Sequence, residues 1–290
     1  MVMEMVVMKL VFSILPKLPL ADWVEAFVDF LTTNMTGFFN GISSTIEWIT
    51  EKLLDLLSLG SPYILIVIFA IIAWWIVSWK LALFTFIGLG LIDNLGYWEH
   101  TVNTLALIIV SVIIAIILAI PIGIWMSQKA SVQSIVSPIL DFMQTMPAFV
   151  YLIPSVVFFG LGMVPGVIAT IIFSMPPTVR LTNLGIREVN AELVEASNAF
   201  GATTWQRLFK VQIPLATSTI MAGINQTIML SLSMVVIASL VGAPGLGEIV
   251  YRAVTQVDIG KGFEGGLALV ILAMVLDRIT QGVTKKRSRS

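Results

Sequence analysis

The side chains that ordinarily carry covalent chemistry are nearly absent from this chain. It has no cysteine and a single histidine, His100. That composition excludes thiol catalysis, disulfides and Cys-based zinc sites, and leaves no material for a His-rich metal centre or a Ser-His-Asp triad. No GxxxxGK[ST] phosphate loop occurs, so ATP hydrolysis is not expected here. The nearest glycine-rich run, Gly242-Ala-Pro-Gly-Leu-Gly247, lacks the lysine and reads as a compact turn on the outer side. HExxH and GxSxG are missing as well, which leaves an intramembrane hydrolase without support. His100 follows Trp98 and Glu99 at the start of an apolar stretch, where an interfacial anchor explains it better than a pH sensor. The remaining chemistry is non-covalent. Asn103, Asp141, Gln144, Thr145, Asn225, Gln226, Thr227, Ser231 and Ser233 lie inside apolar stretches, where polar groups are costly and therefore suspect. Gln144, Asn225, Gln226 and Ser231 either line a solute path or hydrogen-bond between helices. Asp141 reads as an interfacial or helix-pairing residue.

The elements that must hold these groups follow from composition. Hydrophobic types make up 58% of the 290 residues, charged types only 11%, and mean hydropathy is +0.98. Soluble domains are about a quarter charged. A crossing helix needs ~20 apolar residues for ~30 Å of hydrocarbon, and seven such stretches are expected, near 62–79, 81–97, 101–126, 135–160, 163–180, 213–241 and 266–284. The fold class is therefore an all-α integral membrane protein of about seven transmembrane helices. Pro138, Pro147 and Pro154 interrupt the fourth stretch, and Pro176 and Pro177 the fifth. Such breaks are either static kinks or sites of binding and gating. Aromatic residues are available around the fourth stretch (Phe142, Phe149, Tyr151, Phe158, Phe159), and packing is their expected role.

Residues 20–58 are too polar to span. Ser44 and Glu47 form a capping-box pattern that predicts a helix start, and Ile46, Ile49, Leu53 and Leu56 then share a face. One or two amphipathic helices are expected, lying in the interface or docked on the spans. The first residues do not read as a cleaved signal peptide: Glu4 is among them, Pro16 and Pro19 interrupt the apolar run, and no small-x-small site follows. Orientation follows the distribution of basic residues. With the N-terminus outside, Lys80, Lys129, Arg180, Arg187, Arg207, Lys210, Arg278, Lys285, Lys286, Arg287 and Arg289 fall inside, eleven of the 16.

The polar stretch 181–212 then faces the cytoplasm. Asn190 is placed to cap a helix over 191–200, Gly201 to end it, and Thr203 with Gln206 to open a second short helix before Pro214. A mere connection could be shorter. This helix, glycine elbow and helix expose Leu193, Val194 and Phe200 beside Glu192 and Glu195, the make-up of a docking surface for a soluble partner.

Within that elbow, Glu195-Ala196-Ser197, three residues, Gly201, nine residues, then Val211-x-Ile213-Pro214 resembles the EAA loop of bacterial ABC importer permeases, with conservative departures at Ser197, Val211 and Ile213. DFMQTMPAFVYLIP (141–154), FSMPPTVRLTNLGIREV (173–189), AGINQTIMLSLSMVVIASLVGAPGLG (222–247) and DRITQ (277–281) resemble the permeases of glycine betaine/proline betaine importers. The resemblance implies a type I ABC importer permease fold in the bacterial cytoplasmic membrane. It implies two copies of the chain, an ABC ATPase subunit carrying ATP and Mg, and an extracytoplasmic substrate-binding protein, with no cofactor in this chain and no nucleic acid. Glu195, Ala196, Ser197, Gly201 and Pro214 would couple to the ATPase. The implied organisation is 1–60 interfacial, 61–98 two peripheral helices, 99–280 the transport core with coupling loop 187–212, and 281–290 a basic tail. A permease for choline, carnitine or methionine, and an ion-coupled carrier working alone, are the alternatives. The carrier would want deep paired ionisable groups, and the central stretches hold few.

Overall fold

The computed structural model describes residues 18–287, with side chains described as far as Val283. The expectations for the first seventeen residues and for the tail beyond Arg287 lie outside the described residues. Chain contacts divide the protein into two units, 1–42 and 43–290, and each is taken by itself.

In the first unit, α1 (Leu20–Asn34) buries no side chain. Leu20, Trp23, Val24, Phe27 and Phe30 form an exposed apolar stripe at helical spacing, with Asp22, Glu25 and Asp29 around it. This is an amphipathic helix, as expected. The next helix, α2 (Thr36–Ser58), passes from the first unit into the second. It corrects the Ser44/Glu47 expectation: Ser44 lies inside α2, because the upstream Phe38, Phe39 and Ile42 continue the apolar spacing and give the helix no reason to restart. The buried face is also rotated from the expected one. Ile46 and Thr50 are buried, whereas Ile49 and Leu56 are exposed.

The second unit continues through α3 (Pro62–Ile76), α4 (Trp79–Asn94), α5 (Trp98–Gln128) and α6 (Ala130–Thr145). A 3-10 turn at Ala148–Tyr151 leads into α7 (Leu152–Phe159), then α8 (Met163–Ser174), α9 (Pro176–Arg187), α10 (Ala191–Ala199) and α11 (Thr204–Arg207). A π-turn at Leu208–Gln212 precedes α12 (Ile213–Ser239), α13 (Leu246–Gln256) and α14 (Ile259–Arg287). Regular structure among the described residues is entirely helical.

Four helical stretches are long and apolar enough to cross a membrane: Trp98–Gln128, Met163–Arg187, Thr204–Ser239 and Ile259–Val283. Two bent pairs, α2 with α3 (95°) and α6 with the segment Ala148–Phe159 (108°), raise the number to six if each is one broken span. Counted as six, the one expected stretch without a span is 81–97, which α4 occupies. Both α3 and α4 are helices of only 15 and 16 residues, short of ~20 for a full crossing. They pack on each other as a hairpin, and α4 leans on α14.

The centre of the unit is α9 clasped between α5 and α12, with α8 against both of those helices. Small and hydroxyl-bearing residues allow that approach. A Cβ added at Gly123 would meet Thr182 Cβ at 2.6 Å, and one at Gly223 would meet Thr178 Cα at 3.0 Å. Thr178 and Thr227 share a buried hydroxyl–hydroxyl hydrogen bond of 2.7 Å, and the Thr227 hydroxyl also reaches the Ser174 carbonyl at 2.8 Å. That bond braces the junction of α8 and α9, where Pro176 and Pro177 supply no N–H to the carbonyls one turn back. Despite both prolines, Met163–Arg187 keeps the character of one span. At the N-terminal end of α5, Tyr97 donates to Glu264 Oε2 of α14 at 2.7 Å. Burial, and then this bond to a carboxylate, push the phenol up to about 12.

Candidate functional site: the elbow between α9 and α12

The expected polar loop begins later than residue 181. Helix α9 runs to Arg187, with Thr182, Asn183, Gly185 and Ile186 buried. Hydropathy alone reads Thr182 and Asn183 as loop residues, yet α9 is covered by helices on two sides and its polar groups sit in that packing. Only three residues separate its end from α10.

Helix α10 starts where expected. The Glu192 amide donates to the Asn190 side-chain oxygen at 2.8 Å. It ends at Ala199, and Gly201 takes φ +77°. The Gly201 amide donates to the Asn198 carbonyl (2.9 Å) and the Ala202 amide to the Ser197 carbonyl (3.0 Å). These two bonds are a Schellman closure, which satisfies the last carbonyls of the helix and requires the left-handed residue that glycine supplies without strain. Thr203 and Gln206 then form the reciprocal capping box of α11.

The second helix of the elbow is not free-standing, as the sequence suggested. From Thr204 the chain is helical through to Ser239. Pro214 sits in the first turn of α12, where a missing N–H is tolerated, and the π-turn just before it closes with the Ile213 amide on the Leu208 carbonyl. The root of the elbow is apolar: Leu208 is buried with Ile186 of α9 and Ala216 and Ile220 of α12. Across its mouth, Arg207 Nη1 donates to Asn198 Oδ1 at 3.1 Å, joining α11 to α10.

The outer surface of the elbow is unfilled. No residue of α10 is buried. Phe200 is 93% exposed and Trp205 69%, and Trp205 stacks on Phe209 with ring centroids 5.4 Å apart. Glu195 and Ala196 are exposed, Ser197 is half-buried with its hydroxyl on the Val194 carbonyl, and Pro214 is exposed. The aromatic pair and the Arg207–Asn198 tie were not singled out from sequence, although Trp205 and Phe209 are spaced i, i+4.

The polar candidates within the spans separate into two groups. Gln226 is exposed on α12 in a stripe with Ser218, Ala222, Met229 and Ser233, a face far less apolar than lipid would favour. Gln144 is exposed on the last turn of α6, and Asn225 is half-buried beside Gln226. Ser231 is fully buried, and its hydroxyl donates to the Thr227 carbonyl of its own helix at 2.8 Å, which places it in the packing rather than on that stripe. Asp141 pairs with Arg180 of α9.

Long apolar crossings, an exposed polar stripe on α12 and one shaped elbow are the parts a membrane permease uses. The chain belongs to the family of binding-protein-dependent transport system inner membrane components, whose pattern matches residues 111–289. It is 58% identical over 276 residues to the Bacillus subtilis glycine betaine transport system permease protein OpuAB, covering 95% of this chain and 98% of that one. It is 53% identical over 276 residues to the Listeria monocytogenes glycine betaine/carnitine transport permease protein GbuB, covering 94% and 98%. The MetNI methionine ABC transporter, solved in inward-facing conformations, superposes with a TM-score of 0.59 at 22% identity, over 64% of this chain and 93% of that one. The fold is thus that of a type I ABC importer permease: an all-α, multi-pass component of a cytoplasmic membrane, serving as the non-catalytic subunit of its transport system.

Proposed function

We propose that this chain is the permease subunit of an ATP-driven importer of glycine betaine or a related quaternary ammonium solute. Two copies enclose the path, and the elbow 187–212 receives an ABC ATPase subunit. ATP and Mg belong to that ATPase, and an extracytoplasmic substrate-binding protein delivers the solute. The N-terminus lies outside and the C-terminus inside, as the basic residues favour.

The observation that carries the reading is the elbow itself. Both of its helices are capped, its root is packed, and its outer face is left bare. Ordering a segment costs conformational entropy, and a structured surface with nothing on it is suited to a partner. The exposed stripe on α12 supports the pairing of two copies, because Gln226, Ser218 and Ser233 find water or a second subunit there instead of lipid. Gln144 and Asn225 stand as further path candidates. The names of the two relatives point to betaine, and the Listeria protein's name favours carnitine as a second solute.

The test is co-purification with its ATPase, followed by ATPase and uptake assays in vesicles loaded with the binding protein. Betaine-stimulated hydrolysis with solute accumulation is expected, and unlabelled carnitine, choline and methionine should compete in proportion to their transport. Accumulation without any ATPase present would overturn the reading in favour of an ion-coupled carrier.

A further inference from the structure

We propose that Asp141 and Arg180 are positioning residues of the transport cycle. Together with Gln133 and Arg187 they fasten α6 to α9, so that movement of the elbow is passed through α9 to the bent segment beyond Pro147. This rests on the function proposed above.

Two cross-helix pairs make the clasp. Arg180 pairs with Asp141, and Arg187 Nη1 donates to the Gln133 side-chain oxygen. The two arginines lie two turns apart on one face of α9, and their partners lie about two turns apart on one face of α6. The lower-numbered α6 residue meets the higher-numbered α9 residue, as antiparallel neighbours must. An accidental contact would give one pair; two in register define a fixed alignment.

The alignment matters because α6 is otherwise held by one apolar seam and by the Tyr151 hydroxyl on its Met143 carbonyl. Leu140 is its only buried residue. One apolar seam, Leu140 with Val132, Val136 and Met143, leans on Met126 and Val179. Its far end turns through 108° at Pro147 into the next segment. Helix α9, in contrast, joins the elbow directly: Arg187 is its last residue, and Asn190 caps α10. At its other end, Pro176 and Pro177 remove two rungs of the ladder to α8, and the Thr227 hydroxyl braces that junction, so α8 and α9 move as one piece. The pieces form one linkage of elbow, α9, clasp, α6 and corner. The Asp141 and Arg180 side chains are 63% and 40% exposed. A pair so open adds little to stability, and its contribution is to hold position.

The test uses the full complex with ATPase and binding protein in vesicles, reading solute accumulated per ATP hydrolysed. Asp141→Asn and Arg180→Gln should each lower that ratio about fivefold, the scale of one coupled pair. The reversal Asp141→Arg with Arg180→Asp should recover at least half of it. The native chain has no cysteine, so a second experiment is clean. Gln133→Cys with Arg187→Cys should lower the ratio, a short bis-methanethiosulfonate linker, which forms a disulfide with each thiol by displacing methanesulfinate, should restore it, and reduction should remove the gain. Native ratios in the single variants, failure of the reversal, or a linker that blocks uptake until reduced would each overturn the clasp. If instead the native complex shows no betaine-stimulated hydrolysis, it is the proposed function that falls.

Discussion

Gly201 offers the sharpest test of the elbow, because its cost can be worked out from geometry. Its φ is +77°, and a Cβ built there meets nothing within 4 Å. Substitution therefore meets no steric obstacle, and its entire cost is conformational. For an L-residue in the left-handed region that cost is about 1–2 kcal/mol, smallest for asparagine. Alanine should lose about 1 kcal/mol and valine about 2, which correspond to factors of about 5 and 30 in the closed elbow. Proline fixes φ near −65°, loses the amide that donates to the Asn198 carbonyl at 2.9 Å, and disfavours the helical conformation of Phe200 before it. If the ATPase recognises only the closed elbow, its apparent affinity falls by as much as these factors. The assay is betaine uptake in vesicles at matched permease density, titrated with ATPase. Expected activity runs glycine, asparagine, alanine, valine, proline in descending order. Equal activity of the valine and proline variants with the native chain would refute the reasoning.

Glu195→Lys reverses an exposed charge on α10, so thermal stability should change by less than about 0.5 kcal/mol while ATPase co-purification drops sharply; retained co-purification would argue against Glu195 as a contact. Tyr97→Phe removes a bond to a carboxylate, worth about 1.5–3 kcal/mol, and should lower the unfolding midpoint in detergent. Because the folded phenol is held near 12, above its ordinary 10.0, the unfolded chain ionises first. The native protein's margin over the Phe variant should therefore be flat below pH 10 and shrink as pH climbs from there towards 12. Gln226→Leu should depress uptake severalfold, whereas Ser231→Ala, a change confined to helix packing, should leave uptake within about twofold.

The elbow was legible in the sequence because its signals are local. Asn190, Gly201, Thr203 and Gln206 each act within a few residues, and the structure places each of them as its type requires. Where tertiary packing decides, local signals mislead. Ser44 and Glu47 carry a capping pattern that the apolar spacing upstream overrides. Thr182 and Asn183 look like loop residues, but α9 carries them into the core. The clasp between α6 and α9 was out of reach, since Gln133 and Arg187 become neighbours only once the two helices are aligned.

The helical run from Thr204 to Ser239, its one π-turn included, has a mechanical meaning. At 36 residues it is about 54 Å from end to end. A rocking of about 5° about one tip sweeps the other through about 5 Å, comparable with the 5.4 Å pitch of an α-helix. Under the proposed function, a nudge delivered at the elbow end is carried along this lever arm to its far tip in a single stroke, alongside the linkage through α9.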